Sequence, residues 1–280
     1  MTGWPAFRRR FLRNPAGVFG LVVIILMILT ALGAGLLFPA SPLSITGDPF
    51  IWPGQSPAHP LGTDILGRDI LAGIVHGARV SLIVGLAATA IAVILGMTLG
   101  VCAGYFGGLT DVVIMRLVEL FQTMPSLIFT IVVMVSLTPS IPAIVLAIGM
   151  TSWPQIARLV RAETLRLRNS EFLLTLKVLG LSDLRIIIRH LFPNVTSIVV
   201  VTASIIAAQA ILLEAAISFL GLGNPNMISW GSMIGSGKEA LRSAWYMAAI
   251  PGMAIFVAVL GLSLFGNGLN DALNPQGTHK

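Results

Sequence analysis

The chain has 280 residues, of which 56% are hydrophobic and only 10% charged, and its mean hydropathy is +0.93. A soluble domain carries about a quarter charged residues, so the composition excludes a water-soluble globular protein and implies a solvent that is mostly lipid. The net charge of +6 and the pI of about 10.4 would suit a nucleic-acid binder, but the basic residues gather beside apolar runs. They are an orientation signal first, and no nucleic acid is expected as a partner.

A membrane-spanning helix needs about 20 consecutive apolar residues, and six candidate runs occur along the chain: Gly17–Phe38, Val80–Tyr105, Val112–Leu137, Ser140–Ala157, Val195–Leu220 and Met247–Leu269. These are long unbroken runs rather than ten-residue alternations, which excludes a transmembrane β-barrel. The expected fold is all-α, a polytopic membrane protein with six transmembrane helices. The first run follows Arg8, Arg9, Arg10 and Arg13 and is longer than the roughly 7–15 apolar residues of a cleaved signal peptide. It is expected to be a retained anchor.

Before the second run lies AHPLGTDILGRD, Ala58–Asp69, a stretch rich in residues that fix turns. Such a loop is either a docking surface or a plug packed over helix ends. Span two carries Ala92, Gly96, Gly100 and Gly104, one small residue every four. That spacing lets a neighbouring helix approach closely, as a moving interface or as plain tight packing. Span three opens with Asp111, Arg116 and Glu119, and the last two, three apart, share a helix face and can pair. Pro125 removes one helical hydrogen bond and is expected to kink this span.

Residues 158–194 form the one sizeable charged stretch between spans. Within it, SEFLLTLKVLGLSDLRIIIRHLFPN, Ser170–Asn194, reads as two short helices. Asn169 or Ser170 caps the first, with Phe172, Leu173, Leu176 and Leu179 at helical spacing. Gly180 ends it in a left-handed conformation, Ser182 caps the second with Asp183 in its first turn, and Pro193 closes it. The result is an apolar knob rimmed by Arg and Lys. It either lies in the membrane interface or inserts into a groove of a cytoplasmic partner.

Span five contains Glu214. An ionisable group in a membrane helix is costly and faces protein or a water-filled cavity, so it belongs to a substrate path or to a structural hydrogen bond. After it comes LGLGNPNMISWGSMI, Leu220–Ile234, a second turn-rich loop, and then GSMIGSGKEA, Gly231–Ala240. The latter fails as a phosphate loop, because Ser232 replaces the first glycine and Glu239 the magnesium-binding hydroxyl. No triad, paired carboxylates or metalloprotease helix can be assembled, so the chain is expected not to be an enzyme. The single cysteine, Cys102, and the scattered His59, His76, His190 and His279 offer no metal spacing.

The charges orient the whole. Arg8, Arg9, Arg10, Arg13, Arg116, Arg158, Arg161, Arg166, Arg168, Lys177, Arg185, Arg189 and Lys280 fall on one side, against Arg68, Arg79, Lys238 and Arg242 on the other. Basic residues near span ends stay cytoplasmic, so both termini are expected inside, with membrane lipid as the surrounding partner.

The charged segment resembles the cytoplasmic coupling loop of permease subunits in binding-protein-dependent ABC importers. Their pattern is Glu-Ala-Ala, three residues, Gly, then a distant apolar-Pro pair. Gly180 and Leu191-Phe192-Pro193 match, while Leu174-Thr175-Leu176 stands in the Glu-Ala-Ala place. HPLGTDILGRD (His59–Asp69), GARVSL (Gly77–Leu82), GYFGGLTDVVIMR (Gly104–Arg116), EAAISFLGLG (Glu214–Gly223), WGSMI (Trp230–Ile234) and GNGLNDALNP (Gly266–Pro275) resemble the second permease subunit of dipeptide, oligopeptide and nickel importers. Where Ser-Arg often follows the GRD stretch, this chain has Ala72-Gly73.

The resemblance implies a type I importer permease fold in a bacterial inner membrane. An N-terminal unit would cover residues 1–76, a permease core 77–271 with its coupling loop at 158–194, and a cytoplasmic tail 272–280. It implies a homologous second permease, two cytoplasmic ATPases that hold the ATP and Mg, and an extracytoplasmic solute-binding protein. Glu171, Phe172, Thr175, Leu176, Lys177, Gly180, Leu181, Ser182 and Asp183 would couple to the ATPases. His59, Gly62, Thr63, Asp64, Gly67, Arg68, Asp69 and Trp230 would form the outer docking loop, and Glu214 would lie on the pathway. Peptides are the implied solute, with nickel or a metal chelate the alternative. A stand-alone secondary transporter is the rival from another class, since Glu214 supplies an ionisable group of the kind such proteins use.

Overall fold

The computed structural model describes residues 4–273; most of the expected tail, residues 274–280 with His279 and Lys280, lies outside the described residues. A short helix, α1 (Trp4–Leu12), precedes α2 (Pro15–Leu37). Asn14 caps α2 by accepting from the Gly17 N–H at 3.0 Å, and its amide donates to Asp271 at 2.8 Å. That bond joins the start of α2 to the end of the last helix, α11 (Tyr246–Leu273). The two run antiparallel with almost no side chain between them: a Cβ on Gly17 would stand 2.9 Å from the Gly268 Cα, and one on Gly20 2.4 Å from the Gly261 carbonyl.

The second span, α3, runs from Ile70 to Phe106, ten residues earlier than the apolar run suggests. His76 and Arg79 interrupt the hydropathy but not the helix, because α2 supplies acceptors for both. His76 Nε2 lies 3.0 Å from the Phe38 carbonyl, and Arg79 donates to the carbonyls of Ala31 and Leu32. The boundary expected between residues 76 and 77 therefore falls inside a continuous helix.

The third run is two helices, α4 (Gly108–Thr123) and α5 (Ser126–Ser136), bent by 84°. Pro125 does more than kink it. A residue before proline is pushed out of the helical region, and Met124 is extended at φ −89, ψ 127.

The fourth, α6, spans Ile141–Arg168. Its last eleven residues, expected in a loop, stay helical and carry the ion pairs Arg161–Asp111 and Arg166–Glu163. Arg116–Glu119 forms as expected, at 2.9 Å and exposed.

The remaining elements are α7 (Glu171–Val178), α8 (Asp183–Ile186), α9 (Phe192–Phe219) and α10 (Trp230–Gly237). Pro193 does not close a helix. Between α8 and α9 the chain widens into a π turn over Ile187–Leu191, where the Phe192 N–H bonds the Ile187 carbonyl. A π turn breaks the regular hydrogen-bond register, which lets a proline without an N–H sit in the next turn. Residues 183–219 thus form one long apolar span.

Among the described residues, five helices are long and apolar enough to cross a membrane, and six crossings result if the bent α4–α5 pair is one. Packing requires that it is. On α3, Cβ atoms at Gly96, Gly100 and Gly104 would stand 2.5 Å from Ile156 Cβ, 2.6 Å from the Ala157 carbonyl and 2.7 Å from Thr164 Cβ. Contacts that advance together make α3 and α6 parallel, so the chain between them must return through the bundle. The small-residue row is thus a close-packed seam. The start of α2, the end of α11 and the end of α3 gather at one end of the bundle, with the α7–α8 hairpin; the loops before α3 and α11 lie at the other.

Candidate functional site

The hairpin is shorter than the charged loop expected from sequence, since its flanks belong to α6 and to the α8–α9 span. Gly180 has φ 78. Its N–H bonds the Lys177 carbonyl at 3.0 Å and the Leu181 N–H bonds the Leu176 carbonyl at 3.2 Å. This is the Schellman pattern, in which a left-handed residue satisfies two orphan carbonyls. Ser170 and Ser182 stand at the N-cap positions, but neither side chain caps; the Ser170 hydroxyl donates instead to Leu167, at 2.6 Å.

The expected apolar stripe splits in two. Leu173 is buried, and Leu176 and Leu181 are half-buried against the bundle, while Phe172, Leu174, Val178, Leu179 and Leu184 face outward, Val178 at 87% exposure. Burying such a side chain gains about 1.5–3 kcal/mol, so five left open on one knob form a surface that calls for cover. Glu171, Thr175, Lys177, Ser182 and Asp183 are exposed around it. Sequence reading missed one contact: the Tyr105 hydroxyl, at the end of α3, donates to Asp183 at 2.5 Å.

At the opposite end, residues 39–69 fold into a plug held by polar contacts. His59 Nδ1 lies 2.7 Å from Asp69, whose other oxygen caps α3 by accepting from the Ala72 N–H at 2.8 Å. Asp64 accepts from Arg68 Nε at 2.6 Å and from the Leu66 and Arg68 N–H groups at 2.8 and 2.9 Å. The Thr63 hydroxyl donates to the Asp48 backbone carbonyl at 2.6 Å, and Tyr246 donates to the Ile51 and Thr63 carbonyls at 3.0 Å. Gly62 and Gly67 approach other backbone so closely that a Cβ would meet carbonyl oxygens at 2.3 and 2.1 Å. Trp230 Nε1 donates to Ile74 at 2.9 Å.

None of the eight residues expected at a docking surface is exposed: His59, Gly62, Thr63, Gly67 and Trp230 are buried, and Asp64, Arg68 and Asp69 are half-buried. They build the plug from inside. The outward face is formed by others, among them Phe50, Trp52, Leu66 and Trp245.

Glu214 is completely buried between α9 and α3. The Ser218 hydroxyl donates to it at 2.6 Å, and Ser81 approaches at 3.5 Å. Its neighbours Leu212, Leu213 and Ala216, by contrast, line a groove of about 460 Å³ whose other walls are Ser126 of α5, Ile148, Thr151, Ser152 and Gln155 of α6, and Gln209 of α9. Gln155 and Gln209 are exposed there, midway along their helices, and neither side chain is hydrogen bonded within the described residues.

A bent six-crossing bundle with an apolar hairpin at one end, a closely packed plug at the other and a groove holding two unpaired amides between suits a membrane permease. Residues 92–277 match the family model of the binding-protein-dependent transport system inner membrane component. Residues 2–56 match that of the N-terminal TM domain of oligopeptide transport permease C. The chain belongs to the family of binding-protein-dependent transport system inner membrane components.

Similar proteins include a dipeptide transport system permease protein, DppC, of Alkalihalophilus pseudofirmus, 37% identical over 99% of this chain and 91% of that one. A glutathione transport system permease protein, GsiD, of Pectobacterium atrosepticum is 36% identical over 98% and 92%. An oligopeptide transport system permease protein, OppC, of Bacillus subtilis is 35% identical over 98% and 90%.

Proposed function

We propose that this chain is one permease subunit of an ATP-driven importer of di- or oligopeptides, forming half of the pore. The observation that carries this reading is the groove with Gln155 and Gln209. An amide left unpaired against lipid within a membrane span is costly, so this face must meet something polar. A homologous second permease would close it into a water-filled path. Neutral amide and hydroxyl groups on apolar walls suit the repeated N–H and C=O groups of a peptide. The relatives named for dipeptide, oligopeptide and glutathione transport support that solute class over nickel or a metal chelate.

In this reading the end bearing Arg8, Arg9, Arg10, Arg13 and the hairpin is cytoplasmic, as basic flanks require. Two ATPases, which hold ATP and Mg, cover the open apolar face of Phe172, Leu174, Val178, Leu179 and Leu184. The plug faces a solute-binding protein across the membrane. Closure of the ATPases displaces the hairpin, and because α6 continues directly into it and is seamed to α3, both helices move as a body. No nucleotide site is needed in this chain, since its work is mechanical.

The test is reconstitution with the candidate second permease, ATPases and binding protein in sealed vesicles. Peptide uptake that requires ATP hydrolysis and ignores ion gradients is expected. Uptake by the chain alone, driven by an ion gradient, would replace this reading with the stand-alone transporter.

A further inference from the structure

Most polar groups near the hairpin serve their own helix. Among the described residues, one side-chain hydrogen bond joins residues 171–186 to another membrane-spanning helix, from the Tyr105 hydroxyl to Asp183 at 2.5 Å. The same ring carries a second contact, with Lys177 Nζ 4.6 Å from its centroid. Lys177 belongs to α7 and Asp183 lies in the first turn of α8, so the two residues stand on either side of the Gly180 turn. One side chain therefore holds both arms of the hairpin.

Tyr105 is well placed to bear a load. It is 3% exposed and sits one residue after Gly104, where α3 touches the Arg161 carbonyl and Thr164 of α6 too closely to shift. An aromatic side chain has only two rotatable bonds, so little motion is lost in it. The helix behind it is one unbroken rod of 37 residues, about 55 Å at 1.5 Å per residue. At the far end, Asp69 caps the same helix and holds His59 of the plug.

We infer that Tyr105 is a positioning residue, the latch through which displacement of the hairpin is delivered to α3 and so to the plug. The inference rests on the coupling role proposed above for the hairpin. The α7 arm follows α6 and the α8 arm runs on into α9 as one span, so without the latch motion would reach α6 and α9 only; the Tyr105 contact adds α3, the helix that carries the plug at its far end.

The experiment uses the complete transporter in vesicles and reads peptide taken up per ATP hydrolysed. Tyr105→Phe removes only the hydroxyl. It should lower that ratio about ten-fold, the scale of one lost hydrogen bond to a charged group. Asp183→Ala should do the same, the double variant should be no worse than either single one, and Asp183→Asn, which keeps an acceptor, should restore most of the ratio. A ratio unchanged in Tyr105→Phe overturns the latch, as does a loss confined to the amount of assembled complex. Cross-linking Val178→Cys, in a Cys102→Ser background, to the ATPases tests the underlying reading separately. Cross-links with a normal Tyr105→Phe ratio sink the latch alone; no cross-link sinks the hairpin's coupling role and the latch with it.

Discussion

Gly180 shows how little a residue's surroundings need to say for its conformation to matter. Nothing lies within 4 Å of a Cβ built there, yet φ is 78. The demand is purely on the backbone, and for an L-residue the left-handed region costs about 1–2 kcal/mol, more for a β-branched one. Gly180→Val should uncouple ATP hydrolysis from uptake, whereas Gly180→Asn, which visits this region readily, should keep most of the coupling. Equal behaviour of the two variants in a combined hydrolysis and uptake assay would count against the turn. Glu214 poses the opposite case, since its surroundings say nearly everything. With Ser218 and Ser81 around it and no exposure, Glu214→Gln should preserve fold and uptake. Glu214→Leu should destabilise by about 1–3 kcal/mol through unsatisfied serines, read as a lower melting temperature in detergent. A change in solute preference from Glu214→Gln would put the side chain back on the pathway.

Elements explain why the charged segment looked larger in sequence than it is. Arg161 and Arg166 read as loop residues because hydropathy falls at them, but each finds a carboxylate, Asp111 or Glu163, that lets the helix continue. His76 and Arg79 extend α3 by the same logic, with α2 carbonyls in place of carboxylates. The α3–α6 seam is where element geometry is least forgiving. At Gly100 even a methyl would stand 2.6 Å from the Ala157 carbonyl and 2.8 Å from Val160 Cβ, and overpacking of this kind costs about 1–3 kcal/mol. Gly100→Ala should therefore reduce the yield and melting temperature of the folded chain, measured by fluorescence-detected gel filtration after heating. Full stability would show that the seam can open without cost.

In the proposed function the whole molecule is one half of a pore. Its groove has walls on α5, α6 and α9 and an open side, and its hairpin presents an apolar face left uncovered by the described residues. Gln155→Leu with Gln209→Leu should leave assembly with the partner subunits intact while lowering peptide uptake about ten-fold or more, because two amide hydrogen bonds to the passing solute are lost. Unchanged uptake in vesicles would move the path elsewhere. The plug's close packing suits the outer end of the proposed importer. Buried His59, Thr63 and Trp230 hold the shape, leaving Phe50, Trp52, Leu66 and Trp245 to meet whatever docks there.

Composition and periodicity by themselves determined the membrane, the six apolar runs, the Gly180 turn and the Arg116–Glu119 pair, because each rests on local chemistry: apolar run length, a left-handed residue, a spacing of three; the family was legible only through the resemblance of its motifs. Tertiary structure alone decided the rest. Where α3 begins depends on acceptors from α2, and where α6 ends depends on Asp111, fifty residues away. Whether Pro125 kinks or breaks its span, and whether Pro193 ends a helix or follows a π turn, depends on what the neighbouring backbone can absorb. That His59, Thr63 and Trp230 of the expected docking loop lie buried was not legible, because burial is a property of the assembled fold. Tyr105 meets Asp183 across 78 positions of sequence, a distance over which no periodicity reports, and only the parallel course of α3 and α6 brings the two together.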